Sequence, residues 1–177
     1  MAGWGGAADA DSSDRLITDV EFREILIHTD DELREQVIWN LERWSTADNG
    51  RWRERVLPFL KEVWPKQRAL RTPRVSTRLA DFALANGDLM PAIVEAILPR
   101  LVPIRGGHLR TLSLKADAED HPARLYPKAT LDLLWAVLAE DPRQWPYKIE
   151  DVIEILAEAL ETAADARLSE LRRRRER

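Results

Sequence analysis

Cysteine is absent from the 177 residues, and so are long apolar runs. Without cysteine, the chain has no disulfide, no thiolate nucleophile and no cysteine-ligated zinc. No window approaches about 18 uninterrupted apolar residues, so no segment is predicted to span or contact a membrane. The first residues lack a basic stretch followed by an apolar one, so no signal peptide is expected. Together these absences predict a cytoplasmic protein.

Signatures of catalysis are also scarce. The three histidines, His28, His108 and His121, form no pair at the i, i+4 spacing of zinc hydrolases. No serine lies in a GxSxG nucleophile motif. The glycine-rich stretch that begins at Arg105 lacks the Gly-Lys-Ser/Thr ending of a phosphate-binding loop. We therefore expect no enzymatic activity, no metal and no organic cofactor.

Glycine is sparse, with seven residues, whereas Ala, Leu, Glu and Arg dominate the composition, which favours helix. Two segments share one order of features: a helix with an apolar stripe, a tight polar turn, and a second such helix. Their leading prolines, Pro73 and Pro127, are 54 positions apart (127 − 73). The prolines after the turns, Pro91 and Pro146, are 55 apart (146 − 91). A repeated helical hairpin is typical of stacked helical scaffolds.

The segment before these repeats predicts a third, less regular hairpin. Thr18 with Glu21, and Thr29 with Glu32, are capping-box pairs that begin two helices. Another helix is expected to follow, kinked or tightened by Pro58. The sequence therefore predicts an all-α fold of about seven helices, arranged as a short HEAT-like, α-solenoid-like stack of about three antiparallel hairpins.

The remaining segments set the expected domain boundaries. Residues 1–14 are rich in Gly, Ala, Asp and Ser, which predicts a flexible leader. Helical periodicity is lost over residues 103–121, which predicts a long connection that is functional or disordered. Residues 167–177 form a basic tail that can extend helically with its leucines inward. A single helical-repeat domain is accordingly placed at residues 15–166.

The seven tryptophans are numerous for a chain of this length. Six of them fall at predicted inward positions or at hairpin ends, where large aromatic rings pack between layers of helices. These are Trp39, Trp44, Trp52, Trp64, Trp135 and Trp145. We interpret them as core residues.

The net charge of −4 hides an uneven distribution. Residues 1–35 carry ten acids and three bases, whereas residues 51–78 carry nine bases and two acids. Such asymmetry is typical of a basic binding face, but also of acidic and basic helices that pack side by side, which we favour. Within the basic segment, Arg71, Arg74 and Arg78 are spaced to share a face that could contact phosphates. The acidic overall balance argues against a nucleic-acid-binding module.

The run from Val63 to Ile104 resembles the C-terminal helical region of large bacterial defence-type proteins that carry SIR2-like or NTPase modules upstream. It reads VWPKQRALRTPRVSTRLADFALANGDLMPAIVEAILPRLVPI. The similarity extends to Gln36–Trp44 and Asp141–Ala159, mainly at prolines, tryptophans and core aliphatic residues. No such module precedes the helical part here, so the resemblance implies a free-standing relative or the C-terminal piece of a larger system. It also implies a recognition or assembly role, with any enzymatic activity on another chain.

The sequence thus predicts a non-catalytic protein-interaction or scaffold domain, within a bacterial anti-phage defence assembly. Its expected partner is another protein chain or a second copy of itself. The alternative is a nucleic-acid-binding helical domain that uses the basic segment 51–78. The candidate binding residues are Arg71, Arg74, Arg78, Arg105, His108 and Arg110.

Overall fold

A computed structural model describes residues 18–47, 53–106, 109 and 118–176 of the chain. In those ranges it contains nine α-helices: α1 (Asp19–His28), α2 (Asp31–Ala47), α3 (Arg53–Pro58), α4 (Pro73–Leu84), α5 (Met90–Ile97), α6 (Pro122–Leu125), α7 (Pro127–Val137), α8 (Ile149–Glu158) and α9 (Ala166–Arg175). Single 3₁₀ turns add Arg68–Leu70, Gly87–Leu89, Leu98–Arg100 and Pro142–Gln144. The described residues hold no β-strand, only an isolated bridge between Ile104 and Leu138. The prediction of an all-α fold is confirmed, with more and shorter helices than the seven expected.

One of the two predicted capping boxes is present in the structure, and the other is not. The hydroxyl of Thr18 accepts from the N–H of Glu21 at 3.3 Å, and the Glu21 carboxylate accepts from the N–H of Thr18 at 2.9 Å. These reciprocal bonds are the predicted capping box of α1. The second predicted box is wrong, because Asp30 rather than Thr29 caps α2. Its Oδ1 accepts from the N–H of Leu33 at 2.9 Å.

After Pro58 the helix continues as a wider turn. The chain leaves α3 as a π-helical turn, Phe59–Val63, which closes with a 2.9 Å bond from the Trp64 N–H to the Phe59 carbonyl. Proline has no N–H to donate, and its ring crowds the carbonyl of the preceding turn, so a wider turn relieves the conflict. The wide turn places Phe59, Leu60 and Val63 in the core.

The helices form an uneven stack around one hydrophobic core. α2 packs on α4, and the π-helical turn packs on α5, so the first two hairpins lie one upon the other. α7 contacts both α4 and α5, while α6 and α9 each contact both α7 and α8. A helical stack is therefore present, and the regularity of a HEAT repeat stays a prediction.

The tryptophan interpretation is correct for two residues and wrong for two. Trp64 and Trp145 are buried, and the Trp145 indole N–H donates to the Ala139 carbonyl at 2.8 Å. Trp39 and Trp135 are instead 45% and 38% exposed. Inward positions on both helices are taken by smaller aliphatic residues. The side chains of Trp44 and Trp52 lie outside the described residues.

The C-terminal part consists of two helices separated by a turn. α8 ends at Glu158, and a turn follows in which the buried Thr162 donates to the Leu156 carbonyl at 2.5 Å. The predicted boundary after residue 166 falls at the start of α9. There Leu168 and Leu171 are buried in the core, as expected of a helical extension.

The two other irregular segments are described only in part. Residues 101–106 run extended beside the end of α7, and the N–H of Ile104 donates to the Val137 carbonyl at 2.8 Å. Most of the remaining connection to residue 117 lies outside the described residues, apart from a buried Leu109. The expected leader, residues 1–14, lies outside them as well.

Candidate binding clefts

The predicted binding arginines on and before α4 do not form one cationic face. Arg74 Nε lies 2.6 Å from Oε1 of Glu35 on α2. The hydrogen bond to Glu35, followed by the charge of that carboxylate, raises the pKa of Arg74. Arg78 is exposed and has no partner among the described residues. Arg71 lies half-buried before the helix, and its Nη2 reaches the Lys66 carbonyl at 3.4 Å.

A cleft of about 720 Å³ gathers cations that the sequence did not place together. Its lining residues are Arg23, Ile27, Lys61, Glu62, Trp64, Pro65, Lys66 and Gln67. We call it the basic cleft. α1 supplies Arg23, the π-helical turn supplies Lys61, and the segment after that turn supplies Lys66. The sequence did not predict a role for Arg23 in binding, because Arg23 belongs to the acidic segment 1–35, far from the lysines along the chain.

Arg100, at the end of the 3₁₀ turn after α5, supports the basic cleft from behind. It is only 4% exposed. Its Nη2 donates to the carbonyls of Trp64 at 3.2 Å and Lys61 at 3.4 Å, and its Nη1 donates to the Ala96 carbonyl. Burial, and to a smaller extent the positive charge of Arg71, lowers the pKa of Arg100. The burial of Arg100 could have been predicted from the sequence, because Arg100 continues the helical spacing of the apolar residues Ile93 and Ile97.

A second cleft, of about 570 Å³, brings two of the predicted residues together. Its lining residues are Arg71, Pro73, Val102, Pro103, Arg105, Ala139, Glu140, Asp141 and Gln144. We call it the bridge cleft, since it lies beside the Ile104–Leu138 bridge. Arg71 and Arg105 share it with two acids, so its charge is mixed and suits a polar surface better than an anion. The last two predicted residues, His108 and Arg110, lie outside the described residues.

Among the described residues, the large apolar side chains that are exposed lie in α1 and α2 and from Leu125 onwards. The first hairpin and the helix before it expose Val20, Ile25, Leu33 and Trp39, and the C-terminal part exposes Leu125, Trp135, Tyr147 and Leu160. Within residues 53–106 no large apolar side chain is exposed. Arg43 stacks on the Trp39 ring at 4.7 Å, and Arg174 stacks on the Trp135 ring at 5.0 Å.

The two described histidines, His28 and His121, have structural contacts. Buried His121 begins α6, and its Nδ1 accepts from the N–H of Ala123 at 3.1 Å. His28 lies 3.5 Å from Glu24, one turn earlier on α1. Across the described ranges, no three His, Cys, Asp or Glu side chains are grouped to hold a metal ion. No helix in those ranges combines the length and apolarity that crossing a bilayer requires.

Comparisons with known proteins give one relative. No family model and no solved structure matches the chain. A protein of Sinorhizobium fredii, named uncharacterized protein y4cA, is 26% identical over 135 residues. The aligned part covers 76% of this chain and 11% of the relative. The chain thus spans about a tenth of the length of the longer protein.

Proposed function

We propose that this chain is a non-catalytic protein-interaction or scaffold domain. The observation that carries the proposal is the pair of exposed tryptophans, Trp39 on α2 and Trp135 on α7. Tryptophan and arginine are the residue types most enriched at the energetic centres of protein interfaces. At both positions an arginine lies over the indole ring. Burial of such an exposed aromatic pair would be favourable on binding.

The length of the relative and the resemblance to defence-type proteins suggest where such a domain would act. Its relative is far longer, so a segment of similar sequence occurs within a large polypeptide. The resemblance to helical regions of defence-type proteins favours a cytoplasmic anti-phage assembly. The partner is then another chain of that assembly or a second copy of this one.

A partner test can distinguish the surface around Trp39 from the surface around Trp135. The chain is co-expressed with the products of its neighbouring genes, and complexes are quantified by size-exclusion chromatography with light scattering. Trp39→Ser and Trp135→Ser are compared with Leu160→Ser, an exposed turn residue that serves as the control. We expect at least one tryptophan variant to weaken a complex or dimer about tenfold or more, as for an interface hot spot. A chain that stays monomeric and binds none of these products would contradict the proposal.

Nucleic-acid contact is the second candidate, and the basic cleft is the observation that favours it. Lys61 and Lys66, both from the basic segment 51–78, face this cleft. The neutralisation of Arg74 by Glu35 shortens the cationic track available to a strand. Affinity for a nucleic acid would fall steeply with salt, because phosphate binding releases counterions. Filter binding that shows no retention at low salt would eliminate this candidate.

A further inference from the structure

No carboxylate among the described residues forms an ion pair with the cations of the basic cleft. Arg23, Lys61 and Lys66 have no ion pair or side-chain hydrogen bond with any residue in the described ranges, and Glu62 is the single acid that lines the cleft. Like charges that converge on a cavity repel each other and raise its positive potential. The cavity therefore attracts an anion.

The wall behind the cleft adds positive charge that is costly to bury. Arg100 and Arg71 are close enough for the charge of one to lower the pKa of the other. Neither arginine has a carboxylate partner among the described residues, and the Nε of each is buried without a hydrogen-bond acceptor. A buried cation without a counter-charge is destabilising, and an unpaired buried donor costs further free energy. Arg71 donates to the Lys66 carbonyl and Arg100 donates to that of Lys61, so both contact the backbone of cleft-lining residues.

We propose that the basic cleft is a binding site for a compact ligand that carries a diphosphate or triphosphate group. Lys61, Lys66 and Arg23 would contact the phosphate oxygens, because ammonium and guanidinium groups form strong charge-assisted bonds to phosphate. Arg71 and Arg100 would stabilise the bound charge from behind. The cavity, about 720 Å³, lies within the size range of small-molecule sites.

The distribution of charge around the cleft favours a compact ligand over a nucleic-acid strand. A strand needs cations along an extended track. Here Arg74 is neutralised by Glu35. The bridge cleft, which shares Arg71, presents Glu140 and Asp141. Uncompensated positive charge is thus concentrated in one cavity.

The test measures binding of pyrophosphate and ATP to the full chain by isothermal titration calorimetry at low salt. Lys61→Ala and Lys66→Ala each remove one cation and should weaken binding about tenfold, as expected for loss of a charge-assisted hydrogen bond. Arg78→Ala removes an exposed, unpaired arginine on α4 and is the matched control, with unchanged affinity. A single-stranded oligothymidylate of 20 nucleotides is titrated in parallel.

Three results would overturn the proposal. One is the absence of pyrophosphate and ATP binding at millimolar concentrations. Another is equal weakening by Lys61→Ala and Arg78→Ala, which would indicate a general charge effect. The third is tight binding of the oligonucleotide without binding of pyrophosphate, which would assign the surface to a strand. The site does not rest on the protein-interaction proposal, so either can fail alone.

Discussion

Two buried arginines connect different parts of the fold, and they differ in whether a carboxylate lies beside them. Arg34, at the joint of α1 and α2, is 7% exposed and donates to three carbonyls at the end of α1. It also bonds Asp31 at 2.8 Å. Arg100 is equally buried and also donates to three carbonyls, yet no carboxylate accompanies it in the described part of the chain.

The difference separates a structural arginine from one that fits a binding site. At Arg34 the protein supplies the counter-charge, so the α1–α2 joint is complete in itself. The carbonyls there are the orphan acceptors of a helix C-terminus, which a cation satisfies well. At Arg100 the described residues supply no counter-charge, and the neighbouring basic cleft is lined by further cations that none of those residues pairs with. A ligand anion would complete the second joint as Asp31 completes the first.

Replacement of Arg34 should produce the largest loss of stability. Arg34→Met leaves three carbonyls and the Asp31 carboxylate without their shared donor. We expect a decrease of about 3 kcal/mol in the free energy of unfolding, typical of breaking a buried pair. Urea denaturation followed by circular dichroism measures it. Asp31→Asn, which keeps the arginine, is the control and should cost less. A loss below about 1 kcal/mol for Arg34→Met would show that water replaces the arginine freely.

Replacement of Arg100 should cost less, although the same number of carbonyls is affected. Arg100→Met also removes an uncompensated buried charge, and this relief offsets part of the lost hydrogen bonding. We expect a net decrease of about 1 kcal/mol in the free energy of unfolding without ligand. The same urea experiment compares the two variants directly. If Arg100→Met costs more than Arg34→Met, the missing counter-charge has no energetic consequence and the comparison fails.

Replacement of Arg167 should show how much a carboxylate partner contributes to stability when the arginine is only partly buried. It joins α9 to α7 through Asp132 at 2.6 Å and also bonds Asp165, the N-cap of α9, at 2.8 Å. Arg167→Met should lower the free energy of unfolding by about 1 kcal/mol at pH 7, the upper range for a partly exposed pair. Arg173→Met, on the exposed side of the same helix, is the matched control and should be close to neutral.

The effect of Arg167→Met should depend on pH. Hydrogen bonds from the Arg167 side chain, then from its backbone N–H, lower the pKa of Asp165 below the ordinary 3.8. A lowered carboxyl pKa adds stability above the unfolded pKa, and this stability is lost as pH falls through the folded pKa. The difference between wild type and variant should therefore shrink below about pH 4. Thermal unfolding at pH 7 and pH 3 measures it, and an equal difference at both would exclude this ion pair as its source.

Local signals in the sequence predicted much of the fold. Thr72-Pro73 and Pro127 mark the starts of α4 and α7, because proline at the first helical turn needs no hydrogen-bond partner. The spacing of apolar residues identified the inward faces of α4 and α5. Periodicity alone could not decide whether Trp39 or Trp135 lies at the edge of such a face or inside it. That depends on which neighbouring helix covers the position.

The candidate site was less accessible to sequence reasoning. The basic segment was recognised, and two of its lysines do line the basic cleft. Arg23 lies near these lysines because α1 packs against the π-helical turn, a contact between distant parts of the chain. Neutralisation of Arg74 likewise depends on α2 packing on α4. Charge counts along a sequence cannot show which opposite charges meet.

Replacement of Arg74 should have the smallest effect on stability. Like Arg34 it has a carboxylate partner, Glu35, but its side chain is mostly exposed and competes with water and salt. Arg74→Gln should leave the midpoint of thermal unfolding almost unchanged. Pyrophosphate affinity should also stay unchanged, because the charge of Arg74 is already neutralised. If Arg74→Gln weakened pyrophosphate binding as much as Lys61→Ala, Glu35 would not neutralise it in solution, and the cationic surface would extend along α4 toward a strand-binding track.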